Sequence, residues 1–114
     1  MSDANIPALL EELREVEPLL WEKITYLDQG DRVIKFAYQV LDDFALDHLQ
    51  GCIQRAIVGA GWKYVVSNDR ARQPYGQIGI PISNVRTEYQ HRNYADTPAA
   101  AILAAYIEAK RATR

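Results

Sequence analysis

The hydrophobic positions of residues 1–30 recur at helical spacing. Apolar side chains lie three or four positions apart from Leu9 to Leu27, which is the period of an amphipathic helix. Pro18 lies inside this pattern, and its ring removes a backbone hydrogen bond and crowds the preceding turn. We therefore expect the segment to kink, or to divide into two helices near Glu17, and to end in a turn at Gly30.

A shorter pattern with a period of two follows that turn. From Arg32 to Tyr38, the side chains of Ile34, Phe36 and Tyr38 alternate with the intervening residues. Such alternation, in a segment rich in β-favouring residues, predicts a strand. A run this short also fits a helix that continues into the next segment, so residues 32–38 are either strand or helix.

Helical spacing returns in the middle of the chain. Asp42 or Asp43 is a candidate N-cap, and an apolar face runs from Ala45 to Ala60. Gly59 and Gly61 are well placed to close the last helical carbonyls, because glycine adopts the left-handed conformation that often ends a helix.

Period-two alternation dominates the region that follows this helix. Residues 62–66 predict a strand, residues 67–76 a polar connection, and residues 77–82 and 85–90 two further alternating segments. Because proline cannot donate to a ladder, Pro81 predicts that its strand lies at a sheet edge or contains a bulge.

The chain closes with an alanine-rich helix, for which Thr97 is the predicted N-cap and Pro98 the first helical residue. The predicted order is α-(β)-α-β-β-(β)-α. This order indicates an α+β fold, a small α/β sandwich in which an antiparallel sheet packs against helices. With 114 residues we expect one domain, comprising an acidic helical region over 1–30 and an α/β body over 31–114.

The composition is that of an ordinary globular protein, with 48% apolar and 25% charged residues. No apolar run approaches the roughly 18 residues needed to span a bilayer, and the N-terminus does not resemble a signal peptide. We therefore expect a cytoplasmic protein with no membrane partner. Cys52 is the single cysteine, and its position in a helical apolar pattern predicts a small buried hydrophobe without redox chemistry.

Charge is unevenly distributed along the chain, whose formal net charge is -2. Residues 1–30 contain seven acidic residues against two basic ones, whereas residues 61–94 contain five basic residues against two acidic ones. This asymmetry suggests an anionic partner for the basic segment, or an acidic first helix that shields it.

Two short motifs resemble a known family. The sequence Gly59-Ala60-Gly61-Trp62, followed by strands and then by Ala95-Asp96-Thr97-Pro98-Ala99-Ala100-Ala101-Ile102, resembles the closing part of small phage or prophage proteins of the phage ABA-sandwich domain family. The resemblance covers residues 42–112 and leaves out the acidic first helix. It implies a phage accessory protein acting on host systems in a bacterial cytoplasm, and it implies no catalytic residues.

Catalytic and metal-binding patterns are missing from the sequence. His48 and His91 lie forty-three positions apart, and neither a nucleophile elbow nor a phosphate-binding glycine loop is present. Asp43, Asp47 and His48 could in principle hold a divalent ion, but a solvated acidic face near a helix N-terminus is the favoured interpretation. We predict a protein that is not an enzyme and has no cofactor and no metal site.

The basic segment contains the candidate binding residues, in two patches. Arginine grips anions through a planar fork, and tyrosine and histidine rings stack on flat ligands. An ordinary polar hairpin with cross-strand pairs is the alternative interpretation. The predicted site consists of Arg70, Arg72, Gln73 and Tyr75 in a loop, and of Arg86, Tyr89, His91 and Arg92 beyond it.

The overall acidity narrows the choice of partner. A pI near 5.6 argues against duplex nucleic acid, which usually binds basic domains. A host protein or a small anionic ligand such as a nucleotide fits better, and a nucleic-acid-binding or regulatory module is the alternative function. The predicted function is a phage-type accessory protein that inhibits a host defence protein or sequesters a signalling nucleotide. An exposed strand edge or the alanine-faced terminal helix could also support a homodimer.

Overall fold

A computed structural model describes residues 6–38, 42–68 and 72–113. The strands form two antiparallel sheets, a hairpin of β1 with β2 and a sheet in which β4 lies between β3 and β5. This architecture confirms the predicted α+β fold. In chain order, the elements are α1 (Ile6–Val16), α2 (Pro18–Thr25), β1 (Tyr26–Asp28), β2 (Val33–Lys35), α3 (Asp43–Gly59), β3 (Lys63–Ser67), β4 (Tyr75–Pro81), β5 (Thr87–Tyr94) and α4 (Pro98–Ala112).

The N-terminal helical segment divides at the predicted place. The Glu17 amide donates to the Leu13 carbonyl at the end of α1, and Pro18 begins α2. The helix does not reach Leu27, however, because β1 starts at Tyr26 and pairs with β2. Helical spacing up to Leu27 was therefore misleading for the last turn, and the strand alternative for residues 32–38 is confirmed over Val33–Lys35.

Helix α3 is closed at both ends by the residues that the sequence indicates. The Asp42 carboxylate accepts a hydrogen bond of 2.8 Å from the Ala45 amide, and Gly61 adopts a φ of +81° just after the helix. Ala60 is exposed, contrary to its predicted place on the apolar face, because the helix ends before it. The buried face consists of Ala45, Leu49, Cys52, Ile53 and Ile57.

Helix α4 lies at the centre of the molecule. The Thr97 hydroxyl accepts from the Ala100 amide at 3.3 Å, which confirms the predicted N-cap. The helix contacts all three strands of the larger sheet as well as α1 and α3. Its mostly small buried residues allow this close packing from several sides. None of the helices in the described ranges has the length and apolarity needed to cross a bilayer.

One glycine marks the contact between α4 and the larger sheet. A Cβ atom placed on Gly76 would lie 2.6 Å from the backbone N and Cα of Ile102. Gly76 therefore faces α4, and so do Ile78, which is fully buried, and Ile80, which packs on the core. Because side chains alternate along a strand, the remaining positions of β4 face away from the helix.

The prediction that Pro81 marks an edge strand is wrong, because β4 is the central strand. Pro81 is the last residue of β4, and the pairing of β4 with β3 already ends at Gly79. The lack of a backbone N–H at Pro81 therefore costs no hydrogen bond to β3. The irregularity in the pairing of β4 with β5 lies instead between Gly76 and Ile78. Val85 belongs to the connecting turn, where it is 97% exposed.

Candidate functional site on the open sheet face

The side of the larger sheet that faces away from α4 is uncovered in the described part of the chain. Cross-strand pairing assigns side chains to this side, since directly paired residues share a face. Val65, Tyr89 and Tyr94 are 37%, 44% and 47% exposed there. We call this surface the open sheet face, which comprises Lys63, Val65, Ser67, Tyr75, Gln77, Gly79, Thr87, Tyr89, Arg92 and Tyr94.

Arg92 is the centre of a small cluster on this face. Its guanidinium carbon lies 4.4 Å from the centroid of the Tyr75 ring. Its Nε and Nη2 atoms donate to the Gln77 side-chain oxygen at 3.3 and 3.0 Å, and Nη1 donates to the Tyr94 hydroxyl at 3.4 Å. The Tyr75 and Tyr94 rings are 5.7 Å apart and tilted by 57°. We call Tyr75, Gln77, Arg92 and Tyr94 the arginine–tyrosine cluster.

The cluster holds a cation in place without neutralising it. Its hydrogen-bond partners are an uncharged amide and an uncharged hydroxyl, and the bond to Tyr94 raises the pKa of Arg92 above its ordinary value. A guanidinium has five N–H donors, so the three bonds within the cluster leave donors free for a ligand. Lys63 adds a second positive charge to the open sheet face, none of whose residues carries a carboxylate.

A bulge in β5 brings Arg92 to the open sheet face. Asn93 pairs with Gly76 and Gln90 pairs with Ile78, so both His91 and Arg92 lie opposite Gln77. His91 absorbs the extra residue with a φ of +58°, a conformation in which histidine is more common than most residues. Its Nδ1 lies 3.3 Å from the Glu108 carboxylate on α4, which places His91 on the opposite side of the sheet from Arg92.

Glu108 anchors the bulge to α4. Asn93 donates to its carboxylate at 2.9 Å. This hydrogen bond lowers the pKa of Glu108 below its ordinary value, and the hydrogen bond with His91 has a smaller effect in the same direction. His91 and Asn93 therefore attach the bulged segment to α4 on one side of the sheet, while Arg92 projects from the opposite side, on the open sheet face.

Tyr89 is a second aromatic group on the open sheet face. A Cβ atom on the paired residue Gly79 would lie 2.6 Å from the Cε1 atom of Tyr89, so the ring lies directly over this glycine. An aromatic side chain across from a strand glycine fills the space that the missing side chain leaves. Tyr89 consequently offers an exposed ring on the same face as the arginine–tyrosine cluster.

The structure joins parts of the two predicted patches and separates others. Tyr75 and Arg92, one from each patch, are in direct contact. Tyr75 lies in β4 and not in the preceding loop, whereas Arg72 and Gln73 are exposed in that loop. Arg70 lies outside the described residues.

The other predicted residues of the second patch do not lie together. Tyr89 shares the open sheet face with Arg92, and His91 lies on the side of α4. Arg86 lies at the far end of the hairpin, where its carbonyl accepts from the Ile82 and Ser83 amides.

Gln77 was absent from the predicted site, although its side chain holds the guanidinium of Arg92. Its position two residues after Tyr75 was the available signal, because alternate residues of a strand share a face. Within the described ranges, no three histidine, cysteine or carboxylate side chains come together as metal ligands would.

Comparison with family models, curated proteins and solved structures finds no match for this chain. The geometry of the open sheet face is therefore the basis for a functional assignment.

Proposed function

We propose that this protein acts by binding, without catalysis, and that the open sheet face holds a compact ligand in which a flat ring is joined to an anionic group. A nucleotide has this chemistry. The observation that supports the proposal is the stacking of Arg92 over Tyr75 at 4.4 Å, beside an exposed tyrosine ring. Such an arrangement offers one cation and an aromatic surface at adjacent positions.

The restraint of Arg92 also favours a specific ligand. Three hydrogen bonds and the Tyr75 ring hold the guanidinium before any ligand arrives. Less side-chain entropy is then lost on binding than for a free arginine. In the phage setting that the sequence resemblance implies, sequestering a signalling nucleotide fits this compact cluster better than inhibiting a host defence protein. A protein interface usually buries about 800 Å² on each partner.

A short single strand of nucleic acid is the alternative ligand, and Tyr89 is the observation that favours it. Tyr89 and Tyr94 lie five positions apart on β5, which corresponds to about 15 Å along a strand. One mononucleotide would not contact both rings, whereas successive bases of a strand could stack on them in turn.

A titration series tests the proposal and separates the two ligands. Nucleoside monophosphates, cyclic mononucleotides, cyclic dinucleotides and an eight-residue oligothymidylate are first screened by thermal shift, and the ligands that stabilise the protein are then titrated by calorimetry. We expect Arg92→Ala to weaken binding of the best nucleotide by a factor of ten or more, because a hydrogen bond to a charged group contributes about 1.5–3 kcal/mol.

Arg14→Ala is the matched control, since Arg14 also stacks on an aromatic ring, that of Trp21 at 4.6 Å, but between α1 and α2. It should leave the affinity unchanged. Tyr89→Ala should weaken the oligonucleotide much more than a mononucleotide if the single strand is the ligand. Equal loss in the Arg92 and Arg14 variants would refute the site, and turnover of any screened nucleotide would refute the absence of catalysis.

A further inference from the structure

A cleft on the helical side of the molecule is separate from the open sheet face. It lies between α2 and β1 on one side and α3 on the other, and its volume is about 560 Å³. Leu20, Leu27 and Ala56 contribute apolar walls, and Tyr26 contributes a ring. Cavities of this size with mostly apolar walls are typical of small-molecule sites.

Two polar side chains of the cleft, those of His48 and Arg55, are held by contacts with their neighbours. The His48 Nε2 atom lies 3.0 Å from the Lys23 carbonyl, which can only accept, so Nε2 carries the proton and donates. The imidazole also stacks on Phe36 at 4.8 Å between centroids. Arg55 donates from Nη2 to the Cys52 sulfur at 3.5 Å.

Two cations line this cleft, and neither is paired with a carboxylate in the described part of the chain. The ion pairs of the described residues involve other basic groups. The one carboxylate of the cleft, Asp28, accepts a hydrogen bond of 2.8 Å from the Gly30 amide. Lys23 and Arg55 therefore give the cleft a net positive charge beside its apolar walls.

Cys52 does not turn this cleft into a catalytic centre. Burial raises the pKa of its thiol, although the nearby cations of Arg55 and Lys23 act in the opposite direction. The thiol consequently stays neutral, does not compensate the cations, and lacks the thiolate character that a nucleophile requires.

We infer that this cleft is a second binding site, which accepts an organic anion with an apolar body and a terminal carboxylate. The carboxylate would bind the guanidinium of Arg55, with Lys23 as the second cation, and the apolar body would lie along Leu20, Leu27 and Ala56. A planar guanidinium suits a carboxylate because it can donate two parallel hydrogen bonds. The site is independent of the open sheet face and of the ligand proposed for it.

Octanoate is the probe for this inference, and octan-1-ol is its uncharged counterpart. Both are titrated into the full chain while backbone and imidazole signals are followed by nuclear magnetic resonance. We expect octanoate to shift the signals of His48, Cys52 and Arg55, and to bind at least ten times more tightly than the alcohol. In Arg55→Gln, the affinity for octanoate should fall about tenfold, while that for the alcohol stays the same.

Arg32→Gln provides the control, because Arg32 is an exposed arginine in the β1–β2 turn, where it bonds the Gln29 side chain. It should bind octanoate like the wild type. Three outcomes would overturn the inference: no binding at millimolar octanoate, equal affinity for octanoate and octanol, or equal effects of the two arginine substitutions. A urea midpoint of Arg55→Gln close to that of the wild type would show that the variant is folded, whether or not the protein binds nucleotides.

Discussion

Gly76→Ala tests the contact between α4 and the larger sheet, on which the orientation of the open sheet face depends. The added Cβ would lie 2.6 Å from the Ile102 N and Cα atoms and 2.9 Å from the Ala101 carbonyl carbon. Ordinary van der Waals contact begins at 3.4 Å, so these distances are too short by at least roughly 0.5–0.8 Å. All three atoms belong to the backbone of α4, so no side chain can rotate away to relieve the clash.

The expected loss of stability follows from this rigidity. Overpacking a core usually costs about 1–3 kcal/mol, and we expect Gly76→Ala to reach about 3 kcal/mol, because either the sheet or the helix must move. Replacing glycine also lowers the entropy of the unfolded chain, which offsets about 0.4–1 kcal/mol. The net decrease in the free energy of unfolding should therefore be about 2 kcal/mol or more.

Urea denaturation followed by circular dichroism measures this change. With a slope of about 1–3 kcal/mol per molar urea for a small protein, the midpoint should fall by roughly 0.7 M or more. Gly59→Ala is the matched control, since it lies in the last turn of α3 and a Cβ there meets no atom within 4 Å. It should raise stability slightly, by up to about 1 kcal/mol. A loss below about 0.5 kcal/mol in Gly76→Ala, within the error of extrapolation, would refute the close packing of α4 on the sheet.

Two further predictions concern the stability of α4. Thr97→Ala removes the N-cap bond to the Ala100 amide and should lower the free energy of unfolding by about 1 kcal/mol, as measured by urea denaturation; an unchanged midpoint would contradict the cap. Burial, followed by the charge and hydrogen bond of Glu17, raises the pKa of Tyr106 from 10.0 to about 12. Between these two values the folded state thus keeps a phenol proton that the unfolded state loses. The contribution of Tyr106 to the free energy of unfolding is therefore complete below pH 10 and disappears as the pH rises towards 12. Tyr106→Phe should make the alkaline decline in stability shallower than in the wild type, and identical pH profiles would count against the buried phenol.

Local signals in the sequence predicted most of the element boundaries. Pro18 divides the first helical segment, and Thr97 followed by Pro98 begins α4, because proline and capping residues act within one turn of the chain. Tyr26–Asp28 escaped prediction since its apolar residues continue the helical spacing of α2. Only pairing with β2, a tertiary contact, makes this segment a strand.

The candidate site could be predicted in residue type but not in arrangement. Strict alternation along β5 would place Arg92 on the same side as Glu88 and Gln90, away from Tyr89. The bulge at His91 reverses the alternation and brings Arg92 to Tyr75. Histidine gives no signal as strong as glycine for a positive φ, so the sequence did not reveal this reversal.

The cleft on the helical side could not be predicted from the sequence for a different reason. Lys23 and Arg55 lie in separate helices and approach each other only in the folded chain. Cys52 is buried, as its helical spacing predicted. His48 was expected on a solvated acidic face, yet its ring stacks on Phe36. Contacts between distant segments of this kind have no local signature.

Mapping of the ligand on the protein tests the proposed function most directly. The nucleotide that stabilises the protein best is titrated into isotope-labelled protein, and backbone amide shifts are followed by nuclear magnetic resonance. Binding at the open sheet face should shift the signals of Tyr75, Gln77, Arg92 and Tyr94 on one common saturation curve, and Arg92→Ala should abolish these shifts. Shifts confined to the helical side of the molecule, or shifts that persist in Arg92→Ala, would contradict the account.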